Sequence, residues 1–349
     1  MIFYSTINSN KTDILIEKYF ELVKSGVKPE EILVLVQNGR KKKKFVEKLK
    51  NKAPVGNIGN INVFSFFALA RNFLERNFVS AENMIKDQNS PVFAHLCGLE
   101  VSQYIFKNCI KEIEFKGYNS KVNLLHQLLR RYSLIVQNAL CNDEIKKREK
   151  ILKEAYAKEA RDAIKLYKLK TLEYRAFDYL RQVNIFEYLY KNIKNPYRYV
   201  ILDDADEITP AVFEYLKYIK SDIKEFIIAQ DPLGSSRLGY LSAAIVDFEK
   251  FLGQKPLDLR EDSEKSKRAF KIFNAVKNNL QLSDENIIVK SFIRRDEMIF
   301  DTVEEIKKLI DNGTKPSQIA VVTPITDDYL RFCFKKIKQD VFFLSVSEK

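Results

Sequence analysis

Short apolar runs and helical periods alternate through the first part of the chain. Met1–Ser5 is a brief apolar run, and Lys11–Lys24 comes next with Ile14, Leu15, Tyr19 and Leu22 spaced along one helix face. Gly26 stands where a helix C-cap belongs, and Pro29-Glu30-Glu31 leads into Ile32-Leu33-Val34-Leu35-Val36. That unbroken run predicts a strand covered on both faces, as in a parallel sheet. A basic helix is expected over Arg40–Lys50, a strand over Ile61–Phe64 and a helix over Phe66–Arg76. The β-α-β-α-β-α rhythm implies right-handed crossovers and an open α/β sheet.

From about residue 77 to 195 glycine nearly vanishes and amphipathic helical periods take over. Helices are expected at Leu99–Glu114, at Val122–Ala139 and along a stretch from Asp143 to about Lys194, together an all-helical insertion. Alternation then resumes, with strands at Tyr199–Leu202 and Phe226–Ala229 and helices at Pro210–Ile219 and Gly239–Phe251. A further α/β region comes after these, with helices at Ser266–Leu280, Arg295–Asp311 and Asp327–Lys338 and strands at Ile287–Phe292, Ile319–Val322 and Val341–Ser345. The expected organisation is an α/β domain in two parts, 1–76 and 196–254, a helical insertion at 77–195, and part of a second α/β domain at 255–349.

Composition excludes several classes. The 349 residues include only 10 Gly and 9 Pro, which rules out collagen-like and low-complexity chains. No apolar run reaches the roughly 18 residues needed to span a bilayer, and the start is too short and uncharged for a signal peptide. Cys97, Cys109, Cys141 and Cys333 form no CxxC pair, and they read as reduced thiols of a cytoplasmic protein. The formal net charge of +12 is the footprint of a nucleic-acid binder. A Lys-, Asn-, Ile- and Tyr-rich bias from an AT-rich genome produces the same excess, so charge alone leaves both origins open.

The candidate chemistry lies after the strands. The loop Ser5-Thr6-Ile7-Asn8-Ser9-Asn10 precedes Lys11-Thr12 at the start of a helix. Strand, loop and Lys-Thr is the topology of a phosphate-binding loop, in which backbone N–H groups wrap phosphate and the hydroxyl holds Mg²⁺. Both glycine positions are filled otherwise, by Ser5 and by Asn10, the residue that best tolerates positive φ after glycine. An ordinary Asn/Ser helix cap accounts for the same residues. Asp203-Asp204-Ala205-Asp206-Glu207 comes directly after an apolar strand. Acids there are costly unless a cation or donors compensate, and ligands of open α/β sheets bind at that edge. A solvated acidic turn is the plainer alternative. Gln230-Asp231-Pro232 ends the next strand. Arg40 and Lys41–Lys44 are the densest basic run, either solvated or set along a phosphate backbone. Phe64, Phe66 and Phe67 fit core packing or base stacking, Arg130-Arg131-Tyr132 fits a helix surface or a DNA contact, and His95 and His126 read as structural.

Taken in order, these segments resemble the superfamily 1 DNA helicases of the UvrD/Rep type, and the helicase-like halves of RecBCD- and AddAB-type nucleases. Asn8-Ser9-Asn10-Lys11-Thr12 stands where the family has a GSGKT-like Walker A. Gln37-Asn38 and the helix through Phe45–Leu49 look like the motif that touches single-stranded DNA, and Asn62–Ala68 is similar to its TFHSFA segment. Asp203–Glu207 stands for DExQD, and Gln230-Asp231-Pro232 for GDPDQ. The resemblance implies a RecA-like, P-loop-type motor domain whose insertion is an accessory subdomain, and an ATP-driven enzyme that moves along single-stranded or partly duplex DNA in repair or recombination. It implies ATP and Mg²⁺ as cofactors. Asn8, Ser9, Asn10, Lys11, Thr12 and Asp231 would bind nucleotide, Thr12 and Asp203 the metal, and Asp204 would be the catalytic base.

The departures from the pattern imply a second reading. Walker A has no glycine, Asp204 is one methylene shorter than the family's Glu, and Asp206 and Gly234 replace glutamines. Direct alignment puts Asp262 at the arginine-finger place, with Arg260 and Arg268 out of register. The upstream adenine-reading glutamine and the late motifs of the second motor domain are absent from the sequence, so a complete two-domain ATP site is not expected from this chain alone. The second reading is a non-hydrolysing helicase-like module that binds DNA or scaffolds a nuclease or second helicase subunit.

Overall fold

The computed structural model describes residues 1–5, 10–53, 59–77, 95–115, 121–153, 156–232, 234, 243–259, 264–278, 288–323 and 328–337. Two compact units divide after Asn278.

The first unit is built on a six-stranded sheet. Its strands are β1 (Ile2–Tyr4), β2 (Ile32–Leu35), β3 (Asn62–Phe64), β6 (Tyr199–Leu202), β7 (Glu225–Gln230) and β8 (Leu257–Asp258). All neighbours pair in parallel, in the order β3-β2-β6-β7-β1-β8. Alternation along each strand divides the apolar side chains between two cores. Ile32, Val34 and Val36 join Phe3, Ile201 and Ala229 beneath α1 (Lys11–Lys24) and α2 (Gly39–Lys52). Leu33 and Leu35 face the other way with Ile2, Phe64, Val200, Leu202 and Ile228. A strand covered on both sides must be apolar throughout, which is why β2 reads as an unbroken run.

The second of these cores continues without a break into the helical block. It takes in Phe106 of α4 (Leu99–Glu112), Tyr132 of α5 (Lys121–Gln137), Tyr167 of α7 (Ala157–Glu173) and Phe186 of α8 (Tyr179–Asn192). α3 (Phe66–Arg76) is the seam, with the Phe66 and Phe73 rings 5.7 and 5.3 Å from the Phe186 ring. Phe67 packs on Tyr179 at 5.2 Å. Phe66 and Phe67, half-buried, are therefore packing residues, and Phe64 is buried.

The stretch 143–194 is broken twice, into α6 (Asn142–Leu152), α7 and α8, with the two-residue β5 (Ala176–Phe177) pairing with β4 (His95–Leu96). No glycine or proline marks the breaks. The turns fall on Lys153, Tyr156 and Arg175, all left-handed, and α8 restarts at Asp178. Asp178 is buried. Its carboxylate caps the helix by accepting the Arg181 N–H at 2.8 Å and also accepts the Tyr167 hydroxyl. Arg181 Nε in turn donates to Thr171 Oγ1 at 3.1 Å.

Several expected elements differ. The helix expected over 239–251 is confined, among the described residues, to α10 (Phe248–Leu252), because Asp247 caps it there through the Lys250 N–H at 2.8 Å. The residues before it are held to the sheet side instead, Ala244 N–H donating to Ile208 O at 2.8 Å. α9 (Pro210–Ile219) forms as expected. The last domain is expected to start at residue 255, yet Leu257 and Asp258 pair with Phe3 and Tyr4 on the edge of the first sheet. α11 (Glu264–Lys277) also falls within the first unit.

In the second unit, α12 (Arg295–Asp311) carries Ile299 and Val303 against Ile337 of α13 (Asp328–Ile337). Residues 288–292 and 319–322, expected as strands, form none. Ile288, Val289 and Val322 stay exposed, the two valines close to nine-tenths, and no neighbouring ladder is present among the described residues to pair these runs. The strand expected at 341–345 lies outside the described residues. No described helix is long and apolar enough to cross a membrane.

Replacing Asp178 by Ala removes a helix cap and strands the Tyr167 hydroxyl in the core. Chemical denaturation should show a loss of about 2–4 kcal/mol, against about 1 kcal/mol for Tyr167→Phe.

Candidate active site at the strand ends

Parallel strands bring all their carboxyl ends to one edge, and the site assembles there from the turns at the ends of β1, β2, β6 and β7. After β1, Ser5 is fully buried, its N–H donating to Gln230 O at 2.9 Å. Asn10, at φ 53° and ψ 21°, takes the left-handed turn that starts α1. Asn tolerates this region better than most residues. Lys11 and Thr12 thus open α1 at the strand edge. Asn8 and Ser9 lie outside the described residues.

After β6 the chain turns abruptly. Asp203 is 2% and Asp204 6% exposed. Thr12 Oγ1 donates to Asp203 Oδ2 at 3.0 Å, and the Asp204 N–H donates to Asp203 Oδ1 at 3.0 Å. Asp204 itself is left-handed, at φ 53° and ψ 52°. Non-glycine residues in that region cost about 1–3 kcal/mol and gather at functional sites. Lys11 Nζ lies 2.5 Å from Asp204 Oδ1, and Lys41 Nζ lies 2.9 Å from Asp204 Oδ2. One carboxylate therefore receives two ammonium groups, from the helices after β1 and after β2.

The ionisation of these groups is set by their surroundings. Burial, reinforced by the neighbouring Asp204 charge, raises the Asp203 carboxyl above its usual range. Burial also works against charge on Asp204, but Lys11 and Lys41 outweigh it and hold that carboxyl low. Lys11 is raised, since the pull of Asp204, with Asp206 and Asp203, exceeds the cost of its burial. Asp206 is pushed up to about 6 by burial, although its Oδ1 accepts the Asp231 N–H at 2.9 Å. That bond ties the end of β7 to the acidic turn.

Five of the expected site residues thus converge: Lys11, Thr12, Asp203 and Asp204 directly, and Asp231 through Asp206. Asn10 shapes the turn beneath them. Sequence reasoning misses two participants. Lys41 stands in a basic run that reads as either solvated or set along a phosphate backbone, and Asp206 reads as a mere replacement for glutamine. The signal for Lys41 is present in the parallel order, because Leu35 is level with Leu202 and the residues after both strands must meet. Lys42 is set apart from the acids, its Nζ 5.0 Å from the centroid of the Phe64 ring. His126, which reads as structural in the sequence, is exposed.

A cavity of about 60 Å³ reaches Asp203 and Asp204 from the side of Phe66 and Phe67. Lys11 and Thr12 do not line it, and it is far below the roughly 300 Å³ of a small-molecule pocket. The polar constellation, on the Lys11 side of the acids, is what suits a phosphate. Thr12 and Asp203 offer hard oxygen donors in contact with each other, the small protein share of a Mg²⁺ shell that phosphates and water complete. The residues fit the group.

A profile of the UvrD/REP helicase N-terminal domain matches residues 9–234, well over half of the 349. The chain belongs to the UvrD/REP helicase family. The match spans the acidic turn, the helical block and the chain from Ser9 onward, and the six-stranded parallel sheet is that of a RecA-like helicase domain. No curated protein matches the chain. In this UvrD-like chain Asp204 is set in a left-handed turn and ion-paired with two lysines.

The raised carboxyl of Asp206 predicts a pH signature. Its folded-state value lies above its unfolded one, so its contribution is greatest below about pH 4 and is lost as pH rises through about 6. Asp206→Asn keeps an acceptor for the Asp231 N–H without the charge. It should therefore raise thermal stability at pH 8, by on the order of 1–2 kcal/mol, and make little difference near pH 4.

Proposed function

We propose that the chain is a UvrD-like motor that binds Mg–ATP at the strand-end site and couples its hydrolysis to movement along single-stranded DNA and to duplex unwinding. The observation that carries this reading is the convergence of Lys11-Thr12 on Asp203-Asp204, across 191 residues of sequence between Thr12 and Asp203. Lysine and hydroxyl from one loop, with two acids from a neighbouring strand end, are the parts that phosphoryl transfer requires. Asn8, Ser9 and Asn10 would cradle phosphate, Lys11 would neutralise the β- and γ-oxygens, and Asp231 would line the nucleotide side. Thr12 and Asp203 would hold Mg²⁺, which supplies charge neutralisation at the phosphates. Asp204 would accept the proton of the attacking water. For that, Lys11 must exchange Asp204 for phosphate.

The basic N-terminal half of α2 supports DNA as the polymer. Arg40, Lys43 and Lys44 are exposed there, in the element that the resemblance assigns to strand contact. Such contacts are electrostatic and independent of sequence. We place the protein in the cytoplasm, in DNA repair or recombination, with a nuclease or second helicase subunit as partner.

One observation favours the second reading, of a DNA-binding scaffold without turnover. Asp204 is short and doubly paired, and a base displaced by about 1 Å loses much of its rate. Calorimetry with Mg–ATP separates the two. The motor predicts micromolar binding that is lost in Lys11→Ala, with DNA-stimulated phosphate release by the unaltered chain. No nucleotide binding up to millimolar concentration would leave the scaffold.

Single-strand binding should weaken linearly on a log–log plot against salt. Converting Lys43 and Lys44 together to Ala should reduce that slope by about 1.4, at about 0.7 per phosphate contact.

A further inference from the structure

Asp204 is a single buried carboxylate with two ammonium groups, one on each oxygen. It cannot easily turn away from either. Its N–H is bound to Asp203 Oδ1, and its carbonyl accepts the Glu207 N–H at 2.9 Å. The two lysines differ in where else they can go. Lys11 is the first residue of α1, beside the phosphate-loop side of the acids, and its side chain is 19% exposed. Lys41 is 41% exposed and lies between Arg40 and the exposed Lys43 and Lys44 in the first turns of α2. Its stem is flexible, and a polyanion drawn to that basic turn competes directly with Asp204 for its charge.

We propose that Lys41 is a latch on Asp204, released when a polynucleotide phosphate takes its ammonium group. The inference rests on the nucleotide-binding function proposed above. Its logic is that of two partners sharing one carboxylate. Nucleotide withdraws Lys11 and leaves Asp204 with Lys41, whereas DNA withdraws Lys41 and leaves it with Lys11. Either loss alone is tolerated. With both ligands bound, Asp204 is buried and unpaired, a costly state but the one in which its carboxylate is free to accept a proton. Nucleotide and DNA should therefore weaken one another's binding, while only their combination frees the base. Lys41 is in this sense a positioning residue, acting through Asp204.

The test is the linkage between the two ligands. The affinity of the purified chain for the Mg²⁺ complex of a slowly hydrolysed ATP thio-analogue is measured with and without a short oligothymidylate. In the wild type the oligonucleotide should weaken nucleotide binding about 5–10-fold, and nucleotide should weaken oligonucleotide binding by the same factor. In Lys41→Met the DNA-free protein should already bind nucleotide as weakly as the wild type does with DNA, and the oligonucleotide should change it by less than about twofold. Lys41→Arg should keep the coupling. Lys43→Met should weaken DNA binding yet leave the coupling intact. Lys41 is half-buried and Lys11 still pairs with Asp204 without it, so the neutral variants should stay folded, which thermal melting checks, and Lys41→Gln serves as a second neutral variant.

Coupling that survives in Lys41→Met and Lys41→Gln would overturn the latch. So would a wild type whose nucleotide affinity ignores DNA while Lys41→Met binds nucleotide weakly, since the ammonium would then serve the nucleotide's own phosphates. Neither of those results touches the proposed function. A wild type that binds no nucleotide, or no DNA, would overturn that function and the latch with it.

Discussion

Two adjacent carboxylates buried at the end of β6 are the constraint around which this end of the molecule is arranged. A buried acid without a partner costs several kcal/mol, and Asp203 and Asp204 also repel each other. The fold meets that cost with groups that only a parallel sheet delivers to one edge: the Thr12 hydroxyl and Lys11 from the turn after β1, and Lys41 from the turn after β2. Both helices must begin where they do. Asn10 makes the first start possible by turning left-handed, and Asn38 makes the second by accepting the Lys41 N–H at 3.1 Å.

The helical block is held by a different logic. Among the described residues it has no core of its own separate from the motor, and its aromatic residues run into the apolar face of β1, β2 and β6 through α3. Phe186 touches Phe66, Phe73, Tyr190 and Tyr215, so side chains from the block and from both parts of the motor meet at one ring. The aromatic run that in sequence fits either core packing or base stacking is spent on this junction.

Much of this is legible in the sequence because strands and helices of the first unit announce themselves by period. Strand Tyr199–Leu202 and helices Phe66–Arg76, Pro210–Ile219 and Arg295–Asp311 lie where the apolar pattern puts them. The breaks within 143–194 are hidden because left-handed turns at Lys153, Tyr156 and Arg175 use residues that carry no turn signal. The apolar runs of the second unit look like strands because period and composition register a strand's covering and not its ladder. At the site, Lys11, Thr12, Asp203 and Asp204 are readable from residue type and order. The pairing of Lys41 with Asp204 is not, because it depends on which strands are neighbours, a fact of topology that no local window contains.

The left-handed turn at Asp204 bears on which acid can stand at the end of β6. Short acids can visit that region with support from nearby backbone groups, whereas a longer acid gains nothing from it. The short acid and the left-handed turn therefore suit one another. A glutamate introduced at 204 would carry its carboxylate past both lysines unless the backbone also relaxed to a right-handed form. Lengthening the acid at this position therefore requires a rebuilt turn as well as a longer side chain.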